Sequence, residues 1–304
     1  MSDIMKLAED YTIATDDVEI VFGEPMRDHT SFRLGGGAWF YAKPYTEEAL
    51  KTGLQLCLRE ELPVYILGKG TNLLVSDRGV QGAVFDLTGM DEIRVEGEKI
   101  TAQCGALLRN VAKAAAEASL AGLEFAHGIP GSLGGAIMMN AGAFGGEMKD
   151  VVESVRLMDR YGRIREMAAA DMHFGYRHSL AEESEEIVLS AVLKLPAGKR
   201  EEIEEKMHQL GERRREKQPL NTRNAGSTFK RPEGYFAGKL IEDAGLKGFA
   251  IGGAQVSEKH AGFVINTGTA SAREVYELCR TVQRRVKECS GVDLEMEVRI
   301  WGEF

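Results

Sequence analysis

Residues 127–146 read HGIPGSLGGAIMMNAGAFGG, and residues 67–75 read LGKGTNLLV, directly behind the apolar run VYIL at 64–67. Both stretches carry too much glycine to be regular helix or strand throughout. Glycine lets a backbone approach a ligand closely and aim successive N–H groups at it, which suits an anion such as a pyrophosphate. Ser132, Thr71 and Asn72 add short polar side chains. One such loop reads equally well as a tight turn. Two of them, with ordered Pro-Gly and Asn-Ala-Gly units, point to a large anionic or dinucleotide ligand. Neither places GxGxxG between a strand and a helix, so a Rossmann site is not expected. GYFAGKL at 234–240 imitates part of a Walker A loop, but Leu240 stands where a Ser or Thr must hold magnesium.

Outward from these loops the chain alternates helix and strand periods. AWFYA (38–42) reads as a strand, Thr46 as the cap of a helix carrying Leu50, Leu54 and Leu58 on one face, and VYIL as a buried strand. That is a β-α-β pattern with a right-handed crossover. AVFDL (83–87) is a strand, and LLRNVAKAAAEASLAG (107–122) a helix stopped by Gly122. SVRLMD and RIREM follow as strands joined near Tyr161-Gly162, then EIVLSAVLKL (186–195). A charged helix over 199–217 shows Ile203, Met207 and Leu210 as its apolar stripe, with Glu202 four residues before Lys206. FAIGG and AGFVIN read as strands. A last helix starts near Ser271, where Ser271 and Glu274 form a capping box and Val275, Leu278, Val282 and Val286 the buried face. LEMEVRIW (294–301) alternates like a strand. The class is α+β, in three parts: 1–85 completed by the C-terminal strand 294–304, then 86–198, then 199–293.

With 43% apolar and 28% charged residues, the chain has material for true cores and is not a disorder candidate. A net charge of −9 leaves no basic footprint for nucleic acid, so no nucleic-acid partner is expected. No apolar run reaches the length of a membrane span, and MSDIMKLAED has no export-signal pattern. Cys57, Cys104, Cys279 and Cys289 form no CxxC pair, which fits a reducing cytoplasm. The histidines lack metal-ligand spacing, so no metal is expected, and a monomer is the default expectation.

Several long segments, in order, resemble the MurB family of bacterial cell-wall reductases. GIPGSLGGAIMMNAGAFGGEM (128–148) is similar to its flavin signature and LGKGTNLLVSDRGVQGAVFDL (67–87) to its first flavin loop. FGYRHS (174–179), NAGSTFKRP (224–232), AGKLIEDAGLKGFAIGGAQVSEKHAGFVIN (237–266) and LEMEVRIWG (294–302) follow in the family's order. The compact AGKLIEDAGLKG segment looks like the shorter subtype, which lacks a mobile tyrosine-bearing loop. The resemblance implies the fold of vanillyl-alcohol-oxidase and p-cresol-methylhydroxylase flavoproteins: a two-part FAD-binding domain plus a C-terminal α+β substrate domain. It implies non-covalent FAD, NADPH as reductant and UDP-N-acetylglucosamine enolpyruvate as substrate, reduced to UDP-N-acetylmuramate in the cytoplasm.

The resemblance also implies roles. Ser227 matches the proton donor, though by itself it reads as a turn serine after Gly226. Arg177 matches an arginine able to grip a carboxylate with two parallel hydrogen bonds. Glu297 matches the glutamate completing the set; Glu295 and Arg299 share its face by strand alternation. Flavin contacts fall on Gly68, Gly70, Thr71, Asn72 and Leu73, on Gly105, and on Gly128, Ile129, Pro130, Gly131, Ser132, Gly134, Gly135, Asn140 and Gly142. Substrate contacts fall on Tyr176, Lys217, Asn224, Lys230, His260 and Arg299, with Arg213, Arg214, Arg215 and Lys239 as further cations for a diphosphate. Two other readings stand beside this one. A flavin oxidase of the same fold would use Cys104 or His127 for covalent attachment. A nucleotide-binding protein without catalysis would not need Ser227, Arg177 and Glu297 together.

Overall fold

The computed structural model describes residues 2–304, with the side chains of residues 2 and 3 left aside. The chain forms two compact units, 1–22 with 40–69 and 82–213, and 23–39 with 70–81 and 214–304.

The first unit is organised by an antiparallel five-stranded sheet in the order Ile164–Ala168, Val152–Met158, Ile187–Lys194, Lys99–Gln103, Ile93–Glu96. Ile187–Lys194 is apolar almost without a break and lies at the centre, where both faces are covered. Ile164–Ala168 is largely exposed and lies at the edge. Gly162, at φ +81°, turns the chain between Val152–Met158 and Ile164–Ala168. The helix Leu108–Glu117 buries Leu108, Val111, Ala112, Ala115 and Ala116, the small side chains allowing close packing. It ends earlier than Gly122: the cap is Ala118, and Ser119 takes the left-handed conformation at φ +57°. The chain then leaves to pair Leu120 with Ala197, a tertiary demand that outweighs the glycine stop signal.

A second sheet has the order Val18–Pro25, Gly37–Pro44, Val80–Asp86, Val64–Leu67. Val64–Leu67 runs parallel to Ala83–Asp86 in register, and between Gly37–Pro44 and Val64–Leu67 lies the helix Glu47–Arg59. Thr46 caps that helix by accepting from Ala49 N, as its position predicts. Two expectations change. Val64–Leu67 is an edge strand with only Leu67 buried, and Leu58 is exposed because Ala49, Leu50, Gly53, Leu54 and Cys57 define the inner face. The charged helix Arg200–Lys217 buries Ile203 and Met207. Glu202 pairs with Lys199 rather than Lys206, whose ammonium reaches the buried Glu124 at 3.2 Å.

In the second unit the helix Ala272–Ser290 packs Val275, Leu278, Cys279, Val282 and Val286 into a core with Ile241, Val256 and Val264. The capping box of Ser271 and Glu274 is formed, the Asp77 carboxylate accepts from Ala272 N and Arg273 N, and Gly291 ends the helix at φ +74°. Its sheet runs Arg223–Asn224, Val264–Asn266, Ala254–Val256, Ala250–Ile251, all antiparallel. LEMEVRIW is strand only over Arg299–Trp301, which pairs in parallel with Leu73–Val75. The preceding residues are held singly, Met296 bridging to Phe229. No helix among the described residues is long and apolar enough to cross a membrane.

Candidate active site

In the first unit the loop ends Gly68 and Ser132 meet. A Cβ on Gly68 would stand 2.5 Å from Ser132 Oγ, so a larger residue here would make that hydroxyl turn away. Ser132 is buried and opens the helix Leu133–Met138 without a side-chain cap bond. The N–H groups of Leu133 and Gly134 donate to the carbonyls of Ala106 and Cys104, and Leu108 N donates to Gly131 O. Part of the glycine segment is therefore stitched to 104–108 instead of presenting its N–H groups to a ligand. Gly105 and Gly134 have local packing reasons: a Cβ would stand 2.2 Å from Leu87 O and 2.9 Å from Cys104 Cβ, respectively. Gly135 has open space around its would-be Cβ, Ile129, Gly131 and Gly142 are half-buried, and Gly128 and Pro130 are exposed.

Asn140 is 1% exposed and its side chain is engaged within the protein. Its Nδ2 donates to Glu147 Oε2 at 2.8 Å and to Gly175 O at 3.0 Å, and its Oδ1 accepts from Lys149 N at 2.9 Å. Gly175 and His178 close a tight turn with mutual backbone bonds, and Tyr176 and Arg177 are the residues displayed on it. Arg177 sits at φ +54°, a conformation costing an L-residue roughly 1–2 kcal/mol. Such strain is kept where the surroundings enforce it, and it commonly marks function. The guanidinium lies over the exposed Tyr176 ring, 5.1 Å from its centroid. Glu147 is held below the usual carboxylate range, first by Lys149 and with help from Asn140 and the nearby Arg177 charge.

In the second unit the stretch 227–230 lies between two partners. Thr228 N donates to Gly262 O, Val264 N donates to Thr228 Oγ1, and Glu297 N donates to Thr228 O at 2.9 Å. Phe229 bridges to Met296, and Lys230 Nζ pairs with Glu295 Oε1 at 2.6 Å. The segments carrying Ser227 and Glu297 are thereby joined through Thr228, with Ser227 exposed and Glu297 half-buried. Asn72 closes this arrangement: its Nδ2 donates to Glu297 O at 3.0 Å, and its carbonyl accepts from Arg299 N at 3.0 Å. Gly70 is required just before it. At φ +61° its Cβ would fall 1.9 Å from His29 O. Thr71 is half-buried beside it, and Leu73 is buried at the start of the strand Leu73–Val75.

The remaining candidates are spread over the second unit. Asn224 turns inward, donating to Pro219 O and Thr222 O and accepting from Gly226 N, so it shapes the turn before Ser227. Lys217 ends the helix Arg200–Lys217 and is exposed, as is Arg299. His260 Nδ1 accepts from Gly262 N at 3.0 Å, and burial lowers the pKa of this ring below its ordinary value. The Arg214 guanidinium is pushed down to about 10 by burial, and its Nε donates to Gln218 Oε1. Lys239 pairs with Asp243, and Leu240 faces the core, so GYFAGKL is no phosphate loop. A cavity of about 420 Å³ opens between Arg215, Pro219, Thr222, Ser257, Lys259 and Ile265. Cys104 is buried with its thiol pushed up to about 12, chiefly by burial, which makes it a poor site for covalent flavin attachment. Sequence reasoning missed Thr228 and Ser179. Thr228 carried a signal, being flanked by Ser227 in a matched motif; Ser179 carried none beyond its place after FGYRH.

The α+β arrangement, with both glycine loops inside a stretch that matches an FAD binding domain, is that of a flavin-binding protein. Residues 39–168 match an FAD binding domain, and residues 218–301 match the C-terminal domain of UDP-N-acetylenolpyruvoylglucosamine reductase. The chain is 52% identical over 285 residues to the UDP-N-acetylenolpyruvoylglucosamine reductase of Caldanaerobacter subterraneus subsp. tengcongensis, covering 94% of each. It is 50% identical to the enzyme of that name from Clostridioides difficile, covering 96% of this chain and 95% of that one. The crystal structure of the Thermus caldophilus reductase (MurB) superposes with a TM-score of 0.80 at 36% identity, covering 94% of this chain and 99% of that chain. A glucose oxidase variant of Phl p 4, at 18% identity and a TM-score of 0.50 over 63% of this chain and 44% of that one, shares the fold alone. The chain belongs to the UDP-N-acetylenolpyruvoylglucosamine reductase (MurB) family.

Proposed function

We propose that this chain reduces UDP-N-acetylglucosamine enolpyruvate to UDP-N-acetylmuramate, with NADPH as reductant and non-covalent FAD, as a cytoplasmic monomer. In this reading 1–85 with 294–304, and 86–198, hold the flavin, and 199–293 hold the substrate. The observation that carries it is the Thr228–Glu297 backbone bond, which joins the segments that carry Ser227 and Glu297. Both glycine loops, 67–75 and 127–146, lie inside the stretch 39–168 that matches an FAD binding domain, which supports a dinucleotide cofactor. Bound FAD supplies hydride transfer, which no side chain can.

The chain's own residues handle charge and protons. Arg177 grips the enolpyruvyl carboxylate and stabilises negative charge developing beside it. Ser227 Oγ delivers a proton to the carbon next to that carboxylate, and Glu297 holds the carboxylate region in place. Tyr176, Lys217, Lys230, His260 and Arg299 supply the contacts to the rest of the substrate, with His260 donating from a neutral ring.

Anaerobic stopped-flow absorbance near the flavin maximum tests the reading. Bleaching by NADPH, then rapid return of colour with UDP-N-acetylglucosamine enolpyruvate, is the expected result. Return of colour only with oxygen would replace this reading with an oxidase.

A further inference from the structure

Arg177 carries a strained backbone on the two-residue tip of a turn, and the tip cannot hold that conformation by itself. Two side-chain bonds join the base of the turn to the glycine segment. Asn140 Nδ2 donates to Gly175 O at 3.0 Å, and Ser179 Oγ donates to Met138 O at 2.8 Å. Both donor residues are almost fully buried, at 1% and 0% exposure, while the carbonyls they reach belong to half-buried residues. Asn140 is itself locked, with its second N–H on Glu147 Oε2 and its Oδ1 on Lys149 N. It also takes a left-handed backbone, φ +40°, which asparagine tolerates better than most residues.

We propose that Asn140 is a positioning residue for Arg177. It ties the end of the flavin loop to the arginine turn, so that the carboxylate-binding guanidinium is aimed by the same segment that receives the cofactor. Ser179 supplies the second tie. This rests on the function proposed above for Arg177.

The donors make the test specific. Asn140→Asp keeps the Oδ1 acceptor and the approximate shape but turns the Nδ2 position into an oxygen facing the Glu147 carboxylate and the Gly175 carbonyl. Asn140→Gly removes the side chain while permitting the backbone conformation. The FAD-loaded variants and the parent are assayed for kcat and KM with UDP-N-acetylglucosamine enolpyruvate from neutral to mildly acidic pH. Amide hydrogen exchange over residues 174–179 is followed in parallel without substrate. At neutral pH, Asn140→Asp raises KM by ~10-fold or more and exchanges faster than Asn140→Gly. As pH falls the new carboxyl, pushed up by its carboxylate neighbour, gains a proton and becomes a donor again, so its KM and exchange move back toward the parent. Ser179→Ala shifts KM the same way by a smaller factor.

Equal KM and exchange for Asn140→Asp and Asn140→Gly at every pH would overturn the proposal. So would a loss of bound FAD and of flavin reduction by NADPH in proportion to the loss of enolpyruvyl reduction, because the lesion would then lie in the flavin loop alone. A parent protein whose reduced flavin ignores the enolpyruvyl substrate would defeat the functional reading instead, while the exchange comparison would still decide whether Asn140 holds the turn.

Discussion

Gly70→Ala isolates what the first glycine loop contributes to cofactor binding. The alanine Cβ would lie 1.9 Å from His29 O and 3.0 Å from His29 C, against a backbone with no flexible end to yield. Ordinary contact begins near 3.4 Å, so one of the two segments must move by more than an ångström. Two losses follow. Gly70 holds φ +61°, which costs a residue with a Cβ about 1–2 kcal/mol. The bond from Ser31 N to Gly70 O, 3.0 Å long, cannot survive the displacement and contributes about 1 kcal/mol. Restoring the loop for the cofactor then takes about 2–3 kcal/mol, so the FAD dissociation constant rises by roughly 30- to 150-fold. The control is Gly23→Ala, also at positive φ (+66°) but with nothing within 4 Å of the new Cβ. It pays the backbone strain and loses no cofactor affinity. Titration of the apoprotein with FAD, followed by flavin fluorescence, measures both. Parent-like affinity in Gly70→Ala, or an equal loss in Gly23→Ala, would refute the claim that the close approach at His29 shapes the cofactor loop.

Three further outcomes are expected. Ser227→Ala leaves flavin reduction by NADPH intact and slows enolpyruvyl reduction by roughly 100-fold or more, since one half-reaction alone needs the proton; single-turnover kinetics of the two half-reactions would expose an equal loss. Burial works against ionisation of Glu186, yet Arg165 and Ser184 more than offset it and hold the carboxyl below its usual range. A depressed carboxyl contributes stability above the unfolded-state value near pH 4 and loses it as pH falls through the folded value; a melting-temperature profile that keeps the parent's acid slope in Glu186→Gln would contradict this. Acid precipitation should leave the yellow colour in the supernatant, as non-covalent FAD requires and the buried Cys104 thiol favours; colour in the pellet would mark a covalent flavin and point to the exposed His127.

What the sequence made legible divides along the range of the interactions. Thr46, the Ser271/Glu274 box and the central strand Ile187–Lys194 depend on neighbours within a few residues or on simple apolar runs, and each was readable. Gly122 failed as a helix stop because the pairing of Leu120 with Ala197 pulls the chain away sooner, and nothing near residue 120 announces residue 197. The alternation in LEMEVRIW is genuine, yet the strand shrinks to Arg299–Trp301 because the partner, Leu73–Val75, is only three residues long. Strand length is a property of the pair, and a single sequence states only one member.

The site shows the same division in its chemistry. The motifs indicate which residue types matter, but not which way a polar side chain is turned. Asn140, Asn72 and Asn224 stand in glycine-rich or turn segments where asparagine reads as a ligand group. In the structure Asn140 spends its amide on Glu147 and Gly175, Asn72 on the Glu297 carbonyl, and Asn224 on the 219–222 turn. Each supports the backbone next to a residue of the proposed catalytic set: Asn140 the Arg177 turn, Asn72 the Glu297 segment, Asn224 the approach to Ser227. A buried amide must satisfy both of its ends, and a loop of small residues offers few internal partners. Glycine loops that leave room for a cofactor therefore need such amides to stay in shape, so a cofactor loop and the bracing of its neighbours are written in the same residue types. Their separation requires the hydrogen-bond partners, which lie 35 residues away for Asn140 and 225 for Asn72.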